Sequence, residues 1–328
     1  MKALVYTAPE TLEFKDTEDA QENPDELLVK IESSGICGSD MHAFLGHDER
    51  RPAPLILGHE ACGTIINGAR QGERVTINPL VACGSCEACL EGRNNLCGAR
   101  QIISMPPRQG AFAEYVSAPP SNLVIVPDHI SPDQAALAEP LACGWHAIRL
   151  AEAATARPLS ACNCLVIGGG AIGFGAALVL NAWGAKLITI SEPNPLKRPT
   201  LETHCDCNIV HPDSVDESAY DIVVDAVGFA ATRATACASA KPGGVITHIG
   251  LGSGEGGVDS RRLTLQEITF IGTYTYTPQD FQDTAAAIFD GSLGTLDWVE
   301  LRALRDGAQA FDDIRSGKSS APKIVLKP

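Results

Sequence analysis

Nowhere does the chain run to about eighteen consecutive apolar residues, the length a membrane-spanning helix needs, so no span is expected. Positive charge is also scarce: 25 Lys and Arg stand against 40 Asp and Glu, a formal net charge of −15. Nucleic acids and anionic membranes are held by clustered cations, so neither is an expected partner. Internal repeats and low-complexity tracts are absent. The first segment, MKALVYTAPE, has neither a charged n-region nor an apolar h-region. It reads as a strand and not as a signal peptide, and the cytoplasm is the expected compartment.

What is present is a chain of 328 residues, 45% hydrophobic and 20% charged, long enough for two domains with separate cores. Cysteine is plentiful, with twelve residues. A secreted disulfide scaffold would be short and loop-rich, unlike this chain. Cys62, Cys143, Cys162, Cys164 and Cys237 sit among small apolar residues and read as buried free thiols.

Up to Ser131 the texture is that of an irregular β domain. Short strand-like runs (KALVY, ELLVKIESS, ACGTIIN, ERVTINP, AFAEYVSAP, NLVIVP) are punctuated by Pro and Gly. A helix is expected from Ser131, with Ser as cap and Pro132 at its first position, and Pro140 is expected to divide it. Beyond Pro158, six apolar runs alternate with helical stretches: NCLVIG, KLITISE, CNIVHP, DIVVDAVG, GGVITHIG and EITFIGT. Near-continuous apolar strands between helices indicate a parallel sheet covered on both faces, here a doubly wound dinucleotide fold of six strands. The tail is expected to hold an amphipathic helix (DFQDTAAAIFDG), a short helix and the strand KIVLK.

NCLVIGGGAIGFGAALVL carries G-x-G-x-x-G as Gly168, Gly170 and Gly173, after an apolar strand and opening an Ala-rich helix. In that setting Gly168 makes the tight turn and Gly170 lets backbone approach a pyrophosphate. Gly173 lets helix and strand pack closely, with the phosphates at the helix N-terminus. Glu192 ends the next strand, where its carboxylate can take the adenosine ribose hydroxyls and repel a 2′-phosphate, which favours NAD over NADP. Lys197 and Arg198 follow it and keep NADP as the alternative.

CGSCEACLEGRNNLC places Cys83, Cys86, Cys89 and Cys97 in the rhythm C-x2-C-x2-C-x7-C. Disulfides and an iron–sulfur cluster are the rival readings, but the ferredoxin run closes with a gap of three, not seven. Four thiolates around one structural zinc fit best. A second group is dispersed: GICGSDMH brings Cys37, Ser39, Asp40 and His42, and GHEACG brings His59 and Glu60.

Taken in order, GICGSDMH, GHE, the four-cysteine lobe, AEPLACGWHA, GGGAIG, DAVG and KIVL resemble the zinc-dependent medium-chain dehydrogenase/reductase family, in its sorbitol (polyol) and threonine dehydrogenase branch. The resemblance implies an α/β architecture. A GroES-like irregular β catalytic domain (1–147, with a zinc lobe at 83–97) precedes a Rossmann domain (148–277), and the chain returns to the catalytic domain over 278–328. It implies two zinc ions per chain. Cys37 and His59 match the constant ligands of the catalytic zinc, with Glu60 or Glu139 as third ligand, and the four lobe cysteines hold the structural ion. It adds Ala171, Ile172, Arg198, Val227 and Gly250 to the cofactor contacts.

The implied reaction is hydride transfer from a small secondary alcohol to NAD, the alcohol proton passing by Ser39 and the cofactor ribose to His42. Asp40 caps or braces its turn. The polar loop FLGHDERRPAPLIL is a candidate wall of the substrate pocket. A homodimer or homotetramer is implied. Alternatives are a threonine or other alcohol dehydrogenase of the same family, and a catalytically silent binding or structural protein. Two stretches are shorter than the family's usual pattern: GTIINGARQGERVTINP, and CNIVHPDSVDESAYDIVVDAVG, where a helix looks trimmed to a loop.

Overall fold

The computed structural model describes residues 1–20 and 23–328. The chain divides into two compact units, one of Met1–Glu139, Thr277–Gly291 and Leu296–Pro328, the other of Pro140–Tyr276 and Ser292–Thr295. Among the described residues no helix is long and apolar enough to cross a membrane.

The first unit is built on a mixed sheet. Strand Leu27–Gly35 lies between Glu60–Ile65 and the C-terminal Lys323–Lys327, both antiparallel to it, and also pairs Tyr115–Ala118. Two registers matter for the site: Gly35 faces Glu60, and Val325 faces Gly35. Residues from both ends of the chain therefore meet on one strand. Val29, Ile31, Ile65, Val75 and Ile77 are buried in one core, while Leu4, Leu57, Phe112, Phe311 and Leu326 fill another. Each such side chain contributes roughly 1.5–3 kcal/mol on burial.

Among the described residues, five strands escape the sequence reading: Thr11–Asp16, Leu55–Ile56, Leu80–Val81, Gln101–Ile102 and Val299–Ala303. Thr11–Asp16 is exposed along almost its whole length and shows no inward face, and Val299–Ala303 pairs in parallel with Lys323–Lys327 at the sheet edge. Helices Pro278–Phe289 and Gly307–Arg315 complete the tail.

The second unit holds six parallel strands, all from the runs anticipated. Counted along the chain within this unit, their spatial order is 3-2-1-4-5-6, the doubly wound dinucleotide-fold order. Between strands Asn208–Val210 and Tyr220–Asp225 the trimmed segment holds the single 3-10 turn Pro212–Ser214.

Two expectations about the connecting helix are corrected. The interruption precedes Pro140: Pro132–Ala135, capped by Ser131, is followed by a continuous helix Ala138–Ala154. Pro140 falls in its first turn, where a missing N–H breaks no intrahelical bond. The boundary expected at 147/148 lies inside this helix, and the chain divides at 139/140. From Pro140 onward the helix packs on Ala171–Ala182. A Cβ on Gly144 would stand 2.6 Å from the Ala176 nitrogen, one on Gly175 2.6 Å from Leu141, and Trp145 meets Trp183 edge-on at 4.9 Å.

Candidate functional site

Strand Leu27–Gly35 leads into Cys37, the N-cap of helix Gly38–Phe44, and strand Glu60–Ile65 begins directly after His59. With Gly35 opposite Glu60, the two dispersed motifs converge. One potential ligand atom from each of Cys37, His59 and Glu60 lies within 4.8 Å of the others. His59 and Glu60 are buried and Cys37 is half-buried.

Asp40 does more than brace a turn. Fully buried, it accepts from Cys37 N at 3.0 Å and Gly58 N at 3.2 Å, and its Oδ1 stands 3.3 Å from His59 Nδ1. The outer imidazole nitrogen is thus engaged by a carboxylate, which fixes ring direction and leaves Nε2 facing inward. Burial disfavours charge on His59, yet Asp40 and Cys37 outweigh it and hold the imidazole pKa well above its ordinary value. Burial likewise opposes charge on Asp40, but His59 and Arg51 keep its carboxyl below the usual range.

Lys323, at the start of strand Lys323–Lys327, reaches this group. Its Nζ donates to Glu60 Oε1 at 2.6 Å and to Ile36 O at 2.8 Å. Burial lowers its pKa, but Glu60, Cys37 and Glu139 reverse this and hold it above the ordinary lysine value. The second oxygen, Glu60 Oε2, is buried without a hydrogen-bond partner. An orphaned carboxylate oxygen beside a thiol and an imidazole is the mixed S, N, O donor set that suits zinc.

Of the two carboxylates proposed as third ligand, only Glu60 joins this group. Glu139 is buried in the first turn of helix Ala138–Ala154, where the helix dipole favours an acid, and it stands outside the three. Ser39 Oγ is 3.5 Å from His59 Nε2, and His42 follows three residues later on the same helix, half-buried.

The four lobe cysteines are all free, with sulfur separations of 3.5 Å for Cys86–Cys89, 3.5 Å for Cys83–Cys97 and 3.9 Å for Cys83–Cys89. Thiolates at the corners of a tetrahedron about 2.3 Å from a central zinc would stand about 3.8 Å apart, whereas a disulfide needs about 2 Å. Backbone N–H groups of Ser85 and Cys86 pull the Cys83 thiol down to about 6, toward the thiolate that a metal requires. Elsewhere, desolvation pushes Cys62 up to about 12 and raises Cys164, Cys162 and Cys237, which makes them unreactive core thiols. Cys143 is half-buried.

In the second unit, Gly168 adopts φ +99°, and Gly173 packs so tightly that a Cβ would stand 2.0 Å from Gly168 O. Gly170 is the N-cap of helix Ala171–Ala182, and a Cβ there would meet nothing within 4 Å. The turn is closed on its protein side and open where a pyrophosphate would lie, beside Ala171 and Ile172.

Buried Glu192 accepts from Gly169 N and Asn194 N, both at 2.8 Å, so its carboxylate is fixed against the turn. Arg198 donates to the carbonyls of Glu192 (3.0 Å) and Pro193 (3.2 Å). Val227 and Gly250 lie together past the carboxyl ends of neighbouring strands, where a Cβ on Gly250 would stand 2.1 Å from the Val227 carbonyl carbon.

The family model of the alcohol dehydrogenase GroES-like domain matches residues 23–128, and that of zinc-binding dehydrogenases matches residues 171–290. The chain is 32% identical over 309 residues to L-galactonate-5-dehydrogenase of Escherichia coli, covering 89% of this chain and 88% of that protein. It is 30% identical over 352 residues to sorbitol dehydrogenase of Bacillus subtilis, covering 100% and 97%. Among solved structures it is similar to a Sinorhizobium meliloti protein described as a zinc-binding dehydrogenase and bound to NADP. That likeness has a TM-score of 0.87 and 25% identity, and covers 100% of this chain and 99% of the other.

Proposed function

The chain belongs to the zinc-dependent alcohol dehydrogenase family, and on that footing we propose that it oxidises a small secondary alcohol of the polyol type with NAD. The observation that carries this is the convergence of Cys37, His59 and Glu60, with Glu60 Oε2 buried and unpartnered. These three would hold zinc, and Cys83, Cys86, Cys89 and Cys97 a second, structural ion. Zinc supplies Lewis acidity that makes a hydroxyl easier to deprotonate; the pKa of zinc-bound water falls to about 7. NAD supplies the hydride acceptor.

The chain's own residues do the rest. Asp40 orients His59, and Lys323 neutralises Glu60 so that a carboxylate is tolerated beside a thiol. Ser39 takes the hydroxyl proton and hands it toward His42, whose imidazole can accept it. Glu192 receives the ribose hydroxyls, and its buried negative charge disfavours a 2′-phosphate, so NAD is preferred although a related fold carries NADP. Polyol chemistry is supported by the sorbitol and galactonate dehydrogenases among the relatives.

Zinc counting together with a screen of sorbitol, xylitol, threitol, threonine and ethanol, each with NAD and NADP, tests the proposal. Two zinc ions and turnover of a polyol with NAD are expected. Threonine turnover alone would move the substrate class, and a single zinc with no activity would mark a silent member of the fold.

A further inference from the structure

Ser104 carries an unusual combination of features. It is completely buried, it is not glycine, and yet it sits at φ +75°, in the left-handed region that side chains rarely enter. Glycine would adopt this backbone without strain, so the serine carries a conformational cost. Its hydroxyl points at the metal-site imidazole, with Oγ 3.2 Å from His59 Nδ1, marginally nearer than Asp40 Oδ1 at 3.3 Å. Asp40 Oδ1 is shared, since it also accepts from Gly58 N at 3.2 Å.

The backbone of Ser104 is pinned as well. Arg51, itself only 4% exposed, donates from Nε to Ser104 O at 3.0 Å and from Nη1 to Ser39 O at 3.4 Å, while Asp48 holds the guanidinium at 2.9 Å. One buried cation thereby ties the loop at 48–51, the helix carrying Ser39 and the strained serine to a single arrangement.

We propose that Ser104 is a positioning residue for His59: its left-handed backbone, anchored by Arg51, aims the hydroxyl at Nδ1 and, with Asp40, sets the direction in which Nε2 meets a metal. The inference rests on the reading of Cys37, His59 and Glu60 as a zinc site. A hydroxyl beside the outer nitrogen limits ring rotation, while the carboxylate of Asp40, which can only accept, favours the tautomer that carries its proton on Nδ1 and leaves Nε2 free to ligate.

The test uses full-length, zinc-loaded protein and follows zinc release to a chelator, with the four-cysteine lobe as internal reference, alongside the visible spectrum of the cobalt-substituted protein. Ser104→Gly relaxes the backbone while deleting the hydroxyl. It is expected to fold at least as stably as the parent and to hold metal at the Cys37–His59 centre about 10- to 100-fold more weakly, with the lobe unchanged. The cobalt bands of that centre shift. Ser104→Ala keeps the strain, lacks the hydroxyl, and is expected to lose metal to the same extent. If both variants retain zinc and the cobalt spectrum of the parent, Ser104 positions nothing and the proposal is overturned. If the parent itself holds metal only in the lobe, the zinc-site reading has failed and takes this inference with it.

Discussion

Lys323 Nζ lies 2.6 Å from Glu60 Oε1, joining residues 263 positions apart in the chain, and both side chains are buried. Removing two charges from water is costly, and a pair of this kind is tolerated only when further hydrogen bonds complete it. Ile36 O supplies one for Lys323, while Glu60 keeps one oxygen unspent.

Lys323→Met leaves the Glu60 carboxylate buried without its cation. In metal-free protein the expected loss of stability is about 3–5 kcal/mol, and Glu60→Gln combined with Lys323→Met restores much of it. Urea unfolding of the parent, Lys323→Met, Glu60→Gln and the double variant measures the coupling; equal losses in the single Lys323 variant and the double variant would show that the pair is not the cause.

Cys97→Ser removes one corner of the lobe. Metal content is expected to fall from two zinc ions per chain to one, with a thermal midpoint several degrees lower and the Cys37–His59 centre still loaded. Elemental analysis with calorimetry checks this. A variant that retained both ions would remove the lobe from the list of metal sites.

Glu192→Ala deletes the acceptor for Gly169 N and Asn194 N and opens the ribose position. NAD affinity is expected to weaken by about 1–3 kcal/mol, roughly 5- to 150-fold, and NADP affinity to change less, so that the preference narrows. Titration with both dinucleotides decides it: an unchanged ratio would mean that Glu192 does not read the ribose.

Asp221 is enclosed by Arg157 Nη1, Lys241 Nζ and Asn163 N, each at 2.8 Å. Burial raises its pKa, but Lys241 and these hydrogen bonds prevail and leave it below the ordinary value. A depressed folded pKa stabilises above the unfolded value of about 3.9 and loses that contribution as pH falls from there through the folded pKa. Asp221→Asn is therefore expected to cost about 2 kcal/mol at pH 7, with the gap to the parent closing below about pH 4. Denaturation at several pH values gives the curve, and a gap that did not vary with pH would rule out the charge as its source.

Local signals carried much of this protein. The six apolar runs, the Gly168–Gly173 turn and the Ser131–Pro132 helix start are each set by residues within a few positions of one another, and each forms where expected. The four lobe cysteines also belong here, since fourteen positions of chain bring their sulfurs within reach of one ion. The exposed strand Thr11–Asp16 left no trace because alternation is visible only where one face is buried.

What the amino-acid order alone determined is the doubly wound sheet, its glycine turn and the closed cysteine lobe, because steric and spacing requirements there act over neighbouring residues. Only tertiary structure brought Glu60 beside Cys37 and His59. Strand pairing that sets Gly35 opposite both Glu60 and Val325 brings Lys323 onto Glu60 beside Cys37 and His59. Those choices are long-range registers of a folded sheet, and no local pattern of side chains encodes which distant strand lies alongside.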